Sequence, residues 1–262
     1  MYTFLVDETN KNFEAGRFFI VGGLVVRPDQ VDAVDASVRK HAFAAGFRPG
    51  DKFKFDTNSR PSHVTPDAHS VAKSGVIADL RSIGVRMVSA VVLHDIAQGQ
   101  NYNEQMNFSL NTITAAYHSL LATEDATGIV IIDRDNERYD HLAGMFQGGL
   151  AYPTGGMKTV NDRIRMFGMT THNASNLCAA NDIALGAFRY CVNTATGKGR
   201  EIVARKIFAD LAYIFWAGKK PDGSKTLRGY GFNPQPLVDS VRHPPYKIQY
   251  ESLISKLTSY SS

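Results

Sequence analysis

The chain has 262 residues but only two cysteines and one tryptophan, and it has no long hydrophobic run. Cys178 and Cys191 fall far apart on one expected helix, which argues against a disulfide framework or a thiolate zinc cluster. The longest apolar run, Phe18 to Val26, is too short to span a bilayer. The first eight residues lack the basic region of a signal peptide, so a cytoplasmic protein with no membrane partner is expected. His41, His63, His69, His94, His118, His141, His172 and His243 show no metal-ligand spacing, although His172 lies where it could shuttle a proton. Gly22-Gly23 and Gly148-Gly149 lack the helix-start context of a phosphate cradle, and internal repeats and low-complexity segments are absent.

What is present is 44% apolar residues, enough for a sizeable core, and an uneven charge. Between Lys198 and Arg228 eight basic residues face three acids, a net +5 where the whole chain carries +4. Lys198, Arg200, Lys219 and Lys220 belong to this stretch, which is either a footprint for a polyanion or an ordinary solvated face. The expected organisation is one domain over residues 1–193 with a basic C-terminal extension, 194–262, packed on it.

Periodicity predicts an α/β fold. Thr3 to Asp7 and Phe18 to Val26 read as an antiparallel strand pair, followed by a helix from Pro28 to about Gly46. Asp51 to Asp56 alternates charge with aromatic and predicts a short strand. Helices are expected over 67–83, 104–121, 138–146 and 176–192, and strands over 85–94, 128–132 and 163–169. Ile202 to Trp216 is strongly apolar, the 220–224 turn follows, and the prolines beyond Gly229 predict a wrapped tail.

Three aspartates sit where this pattern predicts burial. Asp7 ends the first strand, Asp133 ends Gly128-Ile129-Val130-Ile131-Ile132, and Asp182 lies inside the apolar helix Leu177 to Cys191. A buried carboxylate must be paired, protonated or bound to metal. Asp182 has no basic residue three or four positions away on its helix, so its compensation must come from elsewhere in the fold. Glu8 points to the opposite side of a regular strand from Asp7 and either turns in at the strand end or pairs with a nearby lysine. Asp135 either continues the Asp133 face or caps the next helix. Lys52 and Lys54 either orient a substrate phosphate or protect a strand edge. Converging carboxylates without histidine or cysteine suit magnesium or manganese, and two such ions can drive phosphodiester hydrolysis.

Several of these residues also carry a family resemblance. Phe4-Leu5-Val6-Asp7-Glu8-Thr9, then Phe18 to Val26 with its Gly-Gly pair, Ile131-Ile132-Asp133-Arg134 and Ala180-Asn181-Asp182-Ile183-Ala184 resemble the prokaryotic and phage family called domain of unknown function 3800. Thr9-Asn10 stands where that family has Ser-Gly, and Ala179 where it has glutamine. The resemblance spans residues 3–192 and implies a ribonuclease H-like mixed sheet flanked by helices, with a helical insertion. It further implies a metal-dependent nuclease, in phage-defence or mobile-element settings. The combined expectation is that Asp7, Asp133 and Asp182 hold two Mg2+ or Mn2+ ions, with Glu8 as a fourth catalytic carboxylate. Lys52, Lys54, Lys198, Arg200, Lys219 and Lys220 would contact nucleic acid. The rivals are an inactive nucleic-acid or protein binding module of the same fold, and a phosphatase using Asp133 and Asp135.

Overall fold

The computed structural model describes residues 1–151, 156–171, 174–219 and 223–261. In chain order the main elements are β1 (Tyr2–Thr9), β2 (Phe18–Val26), α1 (Val31–Ala44), α2 (Pro66–Ile83), β3 (Arg86–Leu93), α3 (Tyr102–Thr123), β4 (Gly128–Asp133) and α4 (Tyr139–Gly148). A short pair, β5 (Leu150–Ala151) and β6 (Met157–Lys158), precedes β7 (Ile164–Thr170), α5 (Asn176–Ala195) and α6 (Glu201–Ile214). A second short pair, β8 (Gly218–Lys219) and β9 (Lys225–Thr226), leads to β10 (Phe232–Gln235) and α7 (Pro244–Ser261).

Six strands form one mixed sheet in the order β10-β3-β2-β1-β4-β7. β2 runs antiparallel to both its neighbours, β1 and β3, while β4 is parallel to β1, β7 to β4 and β10 to β3. Both faces are covered, which explains why β2 is an unbroken apolar run. Phe18, Ile20, Leu24 and Val26 enter a core with α1, α2, α5, α6 and α7, whereas Phe19, Val21 and Val25 enter a second core with α3 and α4.

The same alternation governs β1 and β4. Phe4 and Val6 face the α3 side with Val130 and Ile132, so Leu5 and Ile131 face the α5 side. Asp7 and Asp133 follow in phase with Leu5 and Ile131. Val6 lies opposite Ile132 in the parallel ladder, so the two aspartates leave adjacent strand ends on the face that α5 covers.

Gly22 and Gly23 are required by close approach rather than by turning. A Cβ on Gly23 would run into the Leu5 carbonyl and the Asn181 side chain of α5, and one on Gly22 into the β3 backbone. Asn181 Oδ1 also accepts the Leu24 N–H at 2.8 Å, tying α5 to the sheet one residue before Asp182. Gly23→Ala is therefore expected to destabilise the fold by about 1–3 kcal/mol through overpacking. An unchanged thermal midpoint would refute the close-approach account.

Two expectations are corrected. Residues 51–56 form no strand. Phe53 instead buries against Phe47 and His69, and the local backbone groups are taken by side chains: His69 on the Lys54 carbonyl, Lys73 on the Phe55 carbonyl, and Asp182 on the Phe55 N–H. With its hydrogen bonds satisfied this way, the segment needs no ladder partner. The wrapped tail beyond Gly229 contains a strand of the main sheet and an 18-residue helix. Pro244 falls at the helix start, where a missing N–H is harmless, so the prolines there begin a helix.

Residues beyond 194 share the main sheet and core. Phe188 of α5 packs edge-on against Phe215 at 5.0 Å and Phe232 at 6.1 Å between ring centroids. No helix among the described residues is long and apolar enough to cross a membrane.

Candidate carboxylate site

Asp7, Asp133 and Asp182 line one cleft of about 340 Å³ at the β1 and β4 strand ends. Lys11, Lys54, Phe55, Asp56 and Arg189 share its walls. The Asp7 carboxyl is pushed up to about 7, first by burial and then by the charge of Glu8. The Glu8 N–H, donating to Asp7 Oδ1 at 2.8 Å, opposes that shift, while Asp133 and Asp182 add to it. The three aspartates are thus within electrostatic reach of one another although they come from distant parts of the chain.

Asp182 is half-buried, and its Oδ2 accepts the Phe55 N–H at 2.6 Å. Phe55 can lie over α5 because residue 186, one turn beyond Asp182, is glycine; a Cβ there would run into the Phe55 side chain. Lys73 of α2 fixes the segment from above. Its Nζ donates to the Phe55 carbonyl at 2.7 Å and to Thr57 Oγ1 at 3.3 Å, and it sits 4.4 Å from the Phe55 ring centroid. Burial pushes the Lys73 ammonium down to about 8, with Arg189 adding to the shift and Asp56 and Asp182 opposing it.

Glu8 also lines the cleft, where it is held by an ion pair with Lys11 and accepts a hydrogen bond from the Tyr102 hydroxyl at 3.2 Å. Asp135 caps the following turn through the Glu137 N–H at 3.0 Å. It also holds the fully buried Arg138 at 2.8 Å, with Asn107 and Asn103 taking the rest of that guanidinium. Asp135 does not line the carboxylate cleft but an adjoining groove that it shares with Asp133, Glu8 and Lys11, and its two carboxylate oxygens are taken by the Glu137 N–H and Arg138. Asn10, standing where the resembled family has glycine, takes φ of 55°, the left-handed conformation asparagine tolerates.

The basic candidates separate. Lys54 lines the cleft, whereas Lys52 borders a different groove with Arg48 and Asn176. Lys198 donates to the Glu14 carbonyl at 2.9 Å, Arg200 precedes α6, and Lys219 lies in the β8–β9 pair; none of the three lines the cleft. Lys220 and His172 lie outside the described residues. Phe55, Lys73 and Arg189 were not singled out from the sequence. Lys73 is four residues from both His69 and Ile77, which are buried on α2, and Arg189 is seven from Asp182, so helical spacing carried a signal for both.

Among the described residues no three His, Cys, Asp or Glu side chains are gathered closely enough to enclose an ion as they stand. The three aspartates line the cleft without closing on one point. Their chemistry nevertheless fits a hard cation, being oxygen-only and anionic, and Asp7 is held partly protonated near neutral pH by burial first and then by the repulsion of Glu8, Asp133 and Asp182. A magnesium or manganese ion bound by Asp7, Asp133 and Asp182 would relieve that repulsion.

Compared with protein-family models, with curated proteins and with solved structures, the chain matches none.

Proposed function

We propose that this protein is a divalent-metal-dependent nuclease of ribonuclease H-like fold, acting in the cytoplasm and related to domain of unknown function 3800. The observation that carries the reading is the approach of Asp7, Asp133 and Asp182 from two neighbouring parallel strands and a late helix into one cleft. A mixed sheet that delivers carboxylates this way suits the proposed fold, and an all-carboxylate donor set suits phosphodiester hydrolysis by a metal pair. Mg2+ or Mn2+ bound there would supply an activated water and stabilise the leaving oxygen.

The protein's own groups have separable tasks. Asp7 and Asp133 hold their carboxylates at strand ends that cannot move independently, because β1 and β4 are laddered together. Asp182 is oriented by the Phe55 N–H, and Asn181 keeps α5 against the sheet. Lys11 offsets the Glu8 charge at the cleft mouth.

The test is cleavage of labelled DNA and RNA oligonucleotides by purified protein with magnesium, with manganese and with EDTA. Metal-dependent cleavage is expected, and it should vanish in Asp133→Asn while thermal stability stays near wild type. Cleavage that survives in Asp133→Asn would remove the site assignment. Salt-sensitive binding with no turnover and no metal stabilisation would favour the inactive binding module instead.

A further inference from the structure

Arg189 lies on α5 seven residues beyond Asp182, two turns along the same face and about 10 Å at a rise of 1.5 Å per residue. Its guanidinium has five N–H donors. One is used, at the long end of the hydrogen-bond range: Nη1 to Thr9 Oγ1 at 3.4 Å. Arg189 is half-buried and lines the carboxylate cleft, yet among the described residues it forms no ion pair. Lys54 enters the same cleft from the segment that overlies α5, and its Nζ has no hydrogen-bond or ion-pair partner among the described residues. Lys11 differs, being tied to Glu8. Two cations held beside three carboxylates without pairing to them have donors free for an anion brought in from outside.

We propose that Arg189 and Lys54 form a phosphate-binding pair that grips a nucleic-acid backbone phosphate next to the scissile one. The planar guanidinium can take two non-bridging oxygens at once, and the lysine adds a mobile point charge. The substrate strand then runs along α5, from Asp182 past Arg189 toward the Asn10 and Asn193 side chains that join the first strand loop to α5. The substrate class that follows is a polynucleotide of at least two consecutive phosphates, read through its backbone. This assignment rests on the nuclease reading.

The experiment measures the affinity of labelled single-stranded DNA and RNA for the full chain by fluorescence anisotropy, in EDTA and over a range of salt. Arg189→Ala and Lys54→Ala should each weaken binding about tenfold and flatten the slope of log affinity on log salt by about 0.7, the value for one lost contact on a single strand. Lys256→Ala, which removes an exposed charge on α7 paired with Glu201, should change neither. Should Arg189→Ala unfold, Arg189→Lys keeps the charge and removes the fork, and weaker binding by that variant is still required. Wild-type affinity and salt slope in the folded Arg189 variants would overturn the pair even if the protein cleaves. A wild type that neither binds nor cleaves would overturn the nuclease reading, and this assignment with it.

Discussion

Asp7→Asn is expected to abolish cleavage and, in EDTA at pH 8, to make the protein more stable. The first effect follows from removing a carboxylate from the proposed metal site; losing one preorganised electrostatic partner commonly lowers turnover by about 10²–10³-fold. The second follows from the displaced titration of Asp7, from 3.8 to about 7. Between those values the folded state keeps a proton that the unfolded chain releases, so metal-free stability is full below about pH 4 and falls as pH rises through 7. Above pH 7 the folded protein carries the whole penalty of a buried charge facing Glu8, Asp133 and Asp182. Asparagine has no such charge. With cleft water screening part of the repulsion, the gain should be on the order of 1–2 kcal/mol, a rise of about 3–6 °C in midpoint. Urea or thermal unfolding of both proteins from pH 5 to 9 in EDTA reads this directly, and the wild-type curve should fall relative to the variant from pH 5 to about 7 and then level off beside it. Parallel curves would mean that Asp7 does not feel its neighbours. Magnesium should then stabilise the wild type and leave Asp7→Asn unmoved.

Lys73→Met is expected to reduce turnover by about 10–100-fold while changing stability little. Methionine fills most of the lysine stem's volume, so packing against the Phe55 ring is largely kept. Two hydrogen bonds from the ammonium are lost, to the Phe55 carbonyl and Thr57 Oγ1. Bonds to a charged donor contribute about 1.5–3 kcal/mol each when both ends are well placed, and the 3.3 Å contact lies at the weak end. Against this, an ammonium pushed from 10.5 down to about 8 is a charge the fold holds at a disadvantage, and removing it returns a similar amount. The near cancellation leaves the main effect on position. Once Phe55 is no longer held from above, its N–H stops fixing the Asp182 carboxylate, which lies two links from the mutation. Unfolding midpoints, turnover in manganese, and metal affinity by calorimetry together test this. Unchanged turnover and metal affinity would show that the Phe55 segment does not position Asp182.

Much of this arrangement is legible in the residue order, because it depends on local periodicity. The run Phe18 to Val26 reads as a strand buried on both faces, and the in-phase Leu5–Asp7 and Ile131–Asp133 pairs place two carboxylates on one side of a sheet once β1 and β4 are neighbours. The absence of a basic residue three or four positions from Asp182 on its helix points to compensation from a distant element, and the Phe55 N–H is one such contact. That the compensation is a main-chain N–H is invisible in composition, since every non-proline residue offers one. Asp51 to Asp56 alternates like a strand, but tertiary packing of Phe53 and Phe55 overrides the pattern. In the tail, Pro234 suggests irregular chain, yet it lies in β10 at the outer edge of the sheet, where a missing donor does no harm.

The way the C-terminal elements close over α5 has a consequence in time. Asn233 bonds the Ser89 carbonyl across 144 residues of chain, and α6, α7 and β10 complete the core in which α5 is embedded. During synthesis Asp7, Asp133 and Asp182 all emerge before the segment that buttresses the helix carrying the last of them. Pairings this distant in sequence form late. A ribosome-bound chain is therefore expected to hold all three carboxylates in an unassembled state, with the proposed cleavage chemistry delayed until the downstream strand and helices have been made.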